Sequence, residues 1–198
     1  MCSRYRLLAP PEDILARFGL SLTAHEVLTR IAANDIRPTD LALTVAQDNT
    51  PAILPWGLKV SWQPAPVINA RSETAPDKPT FAPLLNRRVL VPASGYYEWR
   101  KTDRAKIKTH IGLADQPLFA MAGFQSEDRF VILTCAPDSA VAHIHNRMPV
   151  ILNPDSEEEW LNPDLDFRQL AALLKPYKGP FEISEQEPKP PAQHSLFD

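Results

Sequence analysis

The spacing of hydrophobic and polar residues predicts helices near both ends of the chain and strands between them. Residues 10–34 contain two stretches with helical spacing, EDILARFGL and SLTAHEVLTRIAAN, and Ser21 or Thr23 can cap the second. Near the C-terminus, NPDSEEEWL places Asn153 at an N-cap and Pro154 at the first helical position, and the amphipathic stretch DFRQLAALLKPY follows. We expect a short helix in each of these four stretches.

Between Leu41 and Leu152 the apolar residues fall in short runs separated by turn residues, which is typical of strands. Short connections between the runs favour antiparallel pairing over a parallel sheet with crossover helices. A further short helix is expected between Asp138 and His145, and the 21 prolines argue for a loop-rich fold without long helices. The predicted strands lie in LALTV, AILPWGLKVSW, RRVLVPASGYYEWRK, KIKTHIGL, PLFAMAGF and RFVILTCA.

The composition changes after Ile183. The final segment, SEQEPKPPAQHSLFD, is rich in proline and charge and has no periodicity until its Leu-Phe pair, as expected of a flexible tail. The residues before it are enough for one domain with a buried core. We therefore predict a folded domain, residues 1–183, followed by a tail, residues 184–198.

Charge and cysteine content narrow the class of protein. A formal net charge of −3 and a pI near 6.0 argue against a protein that coats long stretches of nucleic acid, but they leave a local basic groove open. Two distant cysteines, Cys2 and Cys135, cannot build a disulfide framework or a four-ligand zinc site. The sequence shows neither a membrane-spanning apolar run nor an export signal. These features predict a cytoplasmic protein.

Cys2 follows the initiator methionine directly. Aminopeptidases remove a methionine that precedes a small side chain, and its removal here would leave an amine and a thiol on adjacent carbons. Both groups are then available as nucleophiles, because an α-amino pKa is about 7.7–8.0 and a thiol pKa is about 8.5. With an aldehyde, the amine can form a Schiff base that the thiol closes to a thiazolidine ring. From this residue alone, a terminal cysteine without function remains the alternative.

Two strand-like segments carry polar side chains suited to chemistry. In VINARSE, Asn69, Arg71 and Glu73 have period-two spacing, and Arg71 is suited to binding a phosphate or carboxylate. In PASGYYEWRK, Glu98 lies between aromatic residues, which predicts partial desolvation and a raised pKa useful for proton transfer. A solvated strand face is the alternative for both segments.

A third segment, HIHNRMP, combines His143 and His145 with Arg147. The spacing of the histidines occurs in metal sites, but no further ligands lie nearby, so a proton carrier or hydrogen-bond donor is the better interpretation. Arg147 adds a second candidate anion contact. Trp56 and Trp62, just before VINARSE, offer surfaces on which nucleic-acid bases can stack.

Eight segments, taken in order, carry a resemblance to a known family. They are MCSRY (1–5), IRPT (36–39), PWG (55–57), PVINARSET (66–74), FAPLLNRRVLVPASGYYEWRK (81–101), FAMAGF (119–124), FVILTCAPDSAVAHIHNRMPVIL (130–152) and EEWL (158–161). The chain resembles the SRAP family, the SOS response-associated peptidase-like proteins. The resemblance runs from Cys2 to about Ile183 and covers nearly the whole chain.

The resemblance implies a protein that senses abasic sites in single-stranded DNA and shields them during replication and the SOS response. It implies that Cys2 forms a thiazolidine crosslink with the ring-opened sugar once Met1 is removed, whether by an aminopeptidase or by self-processing. Asn69 would orient the amine and sugar, Glu98 would move protons, and His145 would assist ring opening. Phosphates would be held by Arg4, Arg71 and Arg147, and bases would be contacted by Trp56 and Trp62.

The implied fold is α+β, with a mainly antiparallel, barrel-like sheet and peripheral helices, in a monomer that needs no cofactor or metal. The chain departs from the family pattern at two places. Ser3 stands where the family usually has glycine, and Asn34, Asp35 and Arg37 replace the residues common before and within IRPT. Cys135 lies in an apolar run and is expected in the core.

The end of the tail, QHSLFD, resembles the pentapeptide by which bacterial replication proteins bind the sliding clamp. Leu196 and Phe197 would fill an apolar groove while the amide of Gln193 bonds at its rim. A proline-rich linker would leave this segment free to reach its partner. A chance match in a polar tail is the alternative.

Three other functions remain open from the sequence. An amidohydrolase with an N-terminal cysteine nucleophile also exposes Cys2, but such enzymes use an Asn-Gly segment that the chain lacks. A thiol peptidase would pair Cys2 with His145. A non-catalytic adaptor would bind single-stranded DNA and the clamp, with Cys2 incidental.

Overall fold

The structure is a computed structural model of the 198-residue chain, and it describes residues 2–21, 28, 34–103 and 105–186. Helix α1 spans Pro11–Arg17 and helix α2 spans Pro154–Leu161, and single 3₁₀ turns lie at Gln47–Asn49, Ala75–Asp77, Ala82–Leu84 and Gln169–Ala172. The strands are β1 Arg4–Arg6, β2 Leu41–Val45, β3 Pro51–Pro55, β4 Leu58–Val60, β5 Gln63–Val67, β6 Asn69–Arg71, β7 Arg88–Ala93, β8 Gly95–Lys101, β9 Lys106–Leu113, β10 Phe119–Gln125, β11 Phe130–Cys135, β12 Met148–Pro149, β13 Ile151–Leu152 and β14 Phe181–Glu185.

The strands form two larger sheets and one hairpin. The first sheet has the order β1-β8-β9-β14, and all its pairs are antiparallel. The second has the order β12-β11-β10-β7-β2-β3, with β13 on β10 and β6 parallel to β11. Strands β4 and β5 form the hairpin. Mainly antiparallel pairing is the expected result of short connections.

The core lies around β7, β10 and β11. Their sequences are almost continuously apolar, and nearly every residue in them is buried, so both faces of this part of the sheet are covered. Helix α2 packs on β7 and β10, where the indole of Trp160 donates to the carbonyl of Val89 at 3.0 Å. The buried guanidinium of Arg88 donates to the carbonyls of Trp160, Asn162 and Leu165, which fixes the end of this helix on the sheet.

The predicted α+β fold with a mainly antiparallel sheet is confirmed, although the described strands form separate sheets and no closed barrel. Strand KIKTHIGL has the predicted bounds, and the helix in NPDSEEEWL begins at Pro154 as predicted. Cys135 is buried in β11, as expected. In the part of the chain that the structure describes, no helix is long and apolar enough to cross a membrane.

Two predicted helices are wrong. DFRQLAALLKPY contains only the 3₁₀ turn Gln169–Ala172. The Asp166 carboxylate accepts from the amides of Arg168 and Gln169, as at a helix start, but only this turn follows, and Pro176 disfavours helix just before it. Residues 138–145 form successive turns instead of a helix, and the Asp138 carboxylate accepts from the amide of Ala140.

Two long predicted strands are each divided in two. AILPWGLKVSW breaks at Gly57, whose φ of 113° is left-handed, and RRVLVPASGYYEWRK breaks at Ser94, whose hydroxyl accepts from the amide of Leu8 at 2.8 Å. Strand β14 continues to Glu185, two residues beyond the predicted end of the domain. Most of the predicted helix in residues 21–34 lies outside the described residues, and the tail motif lies wholly outside them.

Candidate active site

Strand β1 brings the start of the chain to the site. It pairs antiparallel with β8 in the register Arg4 to Tyr97 and Arg6 to Gly95, so the residues before Arg4 lie beside Glu98 and Trp99. Tyr5 of this strand is fully buried and packs edge-on against Trp56 with ring centroids 5.2 Å apart. A core aromatic on β1 therefore fixes where the terminal cysteine lies.

Cys2 is completely buried and is held by the strand that carries Asn69. The Asn69 amide donates from Nδ2 to the carbonyl of Cys2 at 2.7 Å, and Asn69 is itself placed by the parallel pairing of β6 with β11. The Cys2 thiol contacts the carbonyl of Arg4 at 3.4 Å. Burial, and after it the negative charge of Glu98, raises the pKa of this thiol well above its usual range.

Glu98 is the second member of the cluster. Alternation along β8 turns Tyr96 and Glu98 to the buried side, and Glu98 is only 2 % exposed. Burial raises the pKa of Glu98 to about 7, while the charge of the terminal amino group acts in the opposite direction. The predicted desolvated glutamate is therefore confirmed, and its pKa suits proton transfer near neutral pH.

His145 lies across from this carboxyl, with its Nδ1 atom 3.9 Å from Oε1 of Glu98. The backbone amide of Arg147 donates to the same Nδ1 at 3.1 Å, so the neutral ring carries its hydrogen on Nε2. Partial burial is the main reason that the pKa of His145 is lowered. The four candidate catalytic residues, dispersed in the sequence, thus form one cluster.

An open cleft of about 420 Å³ leads to this cluster. Arg4 lies at its wall, with its guanidinium 5.7 Å from the centre of the Trp99 ring and 3.1 Å from a carboxylate oxygen of Asp35. The cleft has more basic than acidic side chains, which favours an anionic ligand. Its lining residues are Ser3, Arg4, Glu98, Trp99, Lys101, Lys106 and His145.

Asp35 organises the basic residues beside the cleft. Its carboxylate accepts from Arg37 at 2.7 Å as well as from Arg4, and Lys108 lies at 4.0 Å. Although partial burial acts against it, the hydrogen bond from Arg37 and the charges of Arg4 and Lys108 lower the pKa of Asp35. The departure from the family pattern at residues 35 and 37 therefore creates an ion-pair network next to the cleft.

Comparisons with known proteins identify the family of this chain. A sequence model of the family described as SOS response associated peptidase (SRAP) matches residues 1–187. The chain belongs to the SRAP family. It is 35 % identical over 197 residues to the abasic site processing protein YoqW of Bacillus subtilis, covering 89 % of this chain and 88 % of that one.

A second curated protein and a solved structure are also similar to this chain. The abasic site processing protein YedK of Escherichia coli is 34 % identical over 128 residues, which cover 60 % of this chain and 58 % of YedK. A crystal structure of a protein from Bacteroides thetaiotaomicron superposes with a TM-score of 0.83 at 27 % identity, covering 93 % of this chain and 91 % of the other. The SRAP fold is therefore shared along nearly the whole chain.

The predicted DNA-binding residues of this SRAP chain have different environments. Trp56 is fully buried, its indole donates to the carbonyl of Ile68 at 2.8 Å, and the prediction that it stacks on bases is wrong. Trp62 is 65 % exposed between β4 and β5 and remains available for stacking. Arg71 is exposed at the end of β6, whereas the guanidinium of Arg147 is bound by another residue of the chain.

Sequence reasoning missed three residues that line the SRAP cleft: Trp99, Lys101 and Lys106. A signal for the lysines was present, because they bracket a short polar segment between two predicted strands and pair with each other across that hairpin. Among the described residues, no group of three His, Cys, Asp or Glu side chains is placed to hold a metal ion.

Proposed function

We propose that this protein recognises abasic sites in single-stranded DNA and, once Met1 has been removed, links to them covalently through Cys2. The observation that carries the proposal is the position of Cys2, which is held by Asn69 and lies near Glu98. Glu98 and His145 in turn line a cleft with basic walls. The names of the similar proteins YoqW and YedK, abasic site processing proteins, support the choice of substrate.

Removal of Met1 consumes one molecule of water, and condensation of the freed amine with the sugar aldehyde releases one. Hydrolysis removes Met1, and the freed amine of Cys2 adds to the aldehyde carbon of the ring-opened sugar. Loss of water from this adduct gives a Schiff base. The thiol then adds to the imine carbon, its proton passes to the nitrogen, and the thiazolidine ring closes.

The environment of each residue supports a role in these steps. Glu98 can take up and return protons near neutral pH, because burial raises its pKa to about 7. The thiol of Cys2 stays protonated at that pH, since its pKa is raised, so proton removal by a neighbouring base is needed for ring closure. Asn69 orients the Cys2 backbone, and His145, neutral with its hydrogen on Nε2, is suited to donating a hydrogen bond to the sugar.

The DNA would bind along the cleft. Arg4 and Arg71 are proposed to hold phosphates beside the lesion, and Trp62 to stack on a base. Arg147 can serve the same purpose only if a phosphate displaces Glu73 from its guanidinium.

Denaturing gel electrophoresis tests the proposal. Processed protein incubated with single-stranded DNA containing an abasic site should give a shifted band that survives denaturation, and Cys2→Ala should abolish it. Glu98→Gln should slow formation or reversal of the crosslink while leaving DNA binding largely intact. A wild-type protein that binds this DNA without a covalent band would contradict the proposal and favour the adaptor function.

The same preparation tests the two hydrolytic alternatives. Turnover of glutamine or of a peptide, lost in Cys2→Ala and without crosslinking, would favour an amidohydrolase or a thiol peptidase. Either hydrolase would also need a base to remove the proton of the Cys2 thiol, because its pKa is raised and a thiol nucleophile acts as its thiolate. Release of the initiator methionine by the protein itself would appear as Met1 loss from purified precursor that depends on Cys2.

We also propose that the segment ending in QHSLFD binds the bacterial sliding clamp. A fusion of residues 187–198 to a carrier should bind clamp in a titration, and Leu196→Ala with Phe197→Ala should abolish binding. Gln193→Ala should weaken it, since the amide is proposed to bond at the rim of the groove. Equal binding by the fusion and its double variant would reject this proposal.

A further inference from the structure

His145 lies in a segment that no sheet holds directly. Strand β11 ends at Cys135 and β12 begins at Met148, and the residues between them form turns. Val141 and Ile144 are buried and anchor the first part of this segment. The part from His145 onward needs another constraint if the ring is to keep its position near Glu98.

Arg147 supplies that constraint from both its backbone and its side chain. Its amide donates to Nδ1 of His145 at 3.1 Å, while its guanidinium donates to the carbonyl of Thr134 at 2.6 Å and to both carboxylate oxygens of Glu73 at 2.7 and 2.8 Å. A two-point bond between a guanidinium and a carboxylate fixes orientation as well as distance. The residue that sets the hydrogen-bonding state of the His145 ring is thus tied to two other parts of the chain.

Glu73 connects this segment to the strand that holds the nucleophile. It lies two residues after the end of β6, where Asn69 bonds Cys2, and it is 74 residues from Arg147 in the sequence. The Arg147 side chain is only 13 % exposed, so loss of Glu73 would leave a largely buried cation without its carboxylate. We propose that Glu73 is a positioning residue for His145, acting through Arg147.

The inference extends the proposed function, because it names a residue that the chemistry at Cys2 needs but that touches no reacting atom. The charged groups near His145 include Glu98 and Lys101, and neither belongs to the Glu73–Arg147 pair. Removal of Glu73 therefore acts on the ring through the Arg147 backbone, with Glu98 and Lys101 still in place.

A phosphate-binding role for Arg147 predicts the opposite result. If Arg147 serves mainly as a phosphate contact, removal of Glu73 frees its guanidinium, and DNA should bind more tightly and crosslink at least as fast. If Glu73 positions His145, Glu73→Ala should slow the crosslink on the order of 10- to 100-fold, the range expected when a catalytic group is misplaced by about an ångström. It should not slow the reaction further when His145→Ala is already present.

The matched control is the ion pair between Arg17 of α1 and Glu157 of α2. It is also a two-point pair between residues distant in sequence, with contacts of 2.5 and 2.9 Å, but it lies between the two helices and does not include the His145 segment. Glu157→Ala removes the same kind of contact. It should leave the crosslinking rate within about twofold of the wild-type rate.

NMR of the imidazole ring tests the inference independently of any reaction. In the wild-type chain the His145 signals, assigned with His145→Ala, should report a single Nε2–H tautomer, and Glu73→Ala should give mixed tautomers and a shifted titration midpoint. Glu157→Ala should leave both unchanged. If Glu73→Ala does not fold, Glu73→Gln, which keeps the side-chain shape and removes the charge, is measured in its place.

The outcomes separate this inference from the proposed function. Unchanged His145 signals in the Glu73 variant, or additive losses of rate with His145→Ala, would overturn the positioning role even if the protein crosslinks well. Altered His145 signals in a protein that forms no crosslink would support the positioning role and reject the proposed chemistry.

Discussion

Glu98 carries the clearest pH dependence at the scale of single residues. Its folded pKa of about 7 lies above the ordinary value of 4.5, so the folded protein keeps a proton that the unfolded chain loses between those two pH values. The resulting stabilisation is complete below pH 4.5 and is lost as the pH rises through 7. Buried carboxyl groups of this kind commonly take part in proton transfer.

Glu98→Gln should remove this titration. Relative to wild type, the variant should gain stability on the order of 3 kcal/mol as the pH is raised from 4.5 to 8, because an amide has no charge to bury. Urea unfolding at several pH values measures the difference, and Glu159→Gln on the exposed side of α2 controls for the loss of one carboxylate. If the difference in the free energy of unfolding between the variant and the wild type stays constant from pH 4.5 to 8, Glu98 titrates normally.

The two tryptophans near β4 provide a matched pair of substitutions. Trp56→Ala should lower the free energy of unfolding by about 3–5 kcal/mol, because it empties a core position and removes the bond to Ile68. Trp62→Ala should change stability by less than about 0.5 kcal/mol and weaken binding of single-stranded DNA by about 1–3 kcal/mol. Denaturant unfolding and fluorescence titration measure the two effects. Normal DNA binding by the Trp62 variant would remove it from the proposed interface.

The same pair shows what residue-level reasoning could and could not predict. The chemistry available to Cys2 and the raised pKa of Glu98 followed from the neighbouring sequence, because chain position and flanking aromatics are local properties. The difference between Trp56 and Trp62 was not predictable in this way. It depends on Tyr5, which approaches Trp56 from a strand distant in sequence.

At the scale of elements, Gly95 controls how β8 meets β9. A Cβ atom at this position would lie 2.1 Å from Nε2 of His110, a buried ring on the neighbouring strand. Because Gly95 pairs with Arg6, a shift here would also disturb the β1–β8 register that brings Cys2 to Glu98. The His110 ring therefore approaches this glycine closely, next to the break between β7 and β8.

Gly95→Ala should therefore lower the free energy of unfolding by about 1–3 kcal/mol, the usual cost of overpacking. In a His110→Ala background the same substitution should cost less, since the ring that it would meet is gone, but the φ of 158° at Gly95 still disfavours a side chain. Thermal or denaturant unfolding of the wild type, the two single variants and the double variant measures both costs. An equal cost in both backgrounds would exclude the contact with His110 as the cause.

Element boundaries were harder to predict than element types. Runs such as KIKTHIGL are apolar along the length that pairs, so their strands were predicted correctly. The apolar spacing of DFRQLAALLKPY is also genuine, and Asp166 bonds the amides of Arg168 and Gln169 as at a helix start, but only one 3₁₀ turn follows before Pro176. Apolar spacing therefore did not show how far the helical turn extends in this segment.

At the scale of the whole molecule, net charge is a poor guide to where a nucleic acid binds. The chain has a formal charge of −3, yet the cleft has Arg4, Lys101 and Lys106 in its wall. Apart from Glu98 in the cleft and Asp35 beside it, acidic residues such as those in the first turn of α2 lie elsewhere, and one residue of α2, Glu157, pairs with Arg17. Composition could not predict this separation of charge, because the strands that carry the cations come together only in the folded chain.

The local charge predicts how binding should depend on salt. If the three cations of the cleft and Arg71 each neutralise a phosphate, the logarithm of the affinity for single-stranded DNA should fall with the logarithm of salt with a slope of about −2.8. Lys101→Ala with Lys106→Ala should reduce the slope to about −1.4, because two of the four contacts remain. Lys175→Ala with Lys178→Ala removes two exposed lysines that do not line the cleft, and it should leave the slope unchanged.

Fluorescence anisotropy with an unmodified oligonucleotide measures binding apart from crosslinking. A slope near zero, or equal slopes for the two double variants, would place the DNA on another surface and separate the basic cleft from recognition.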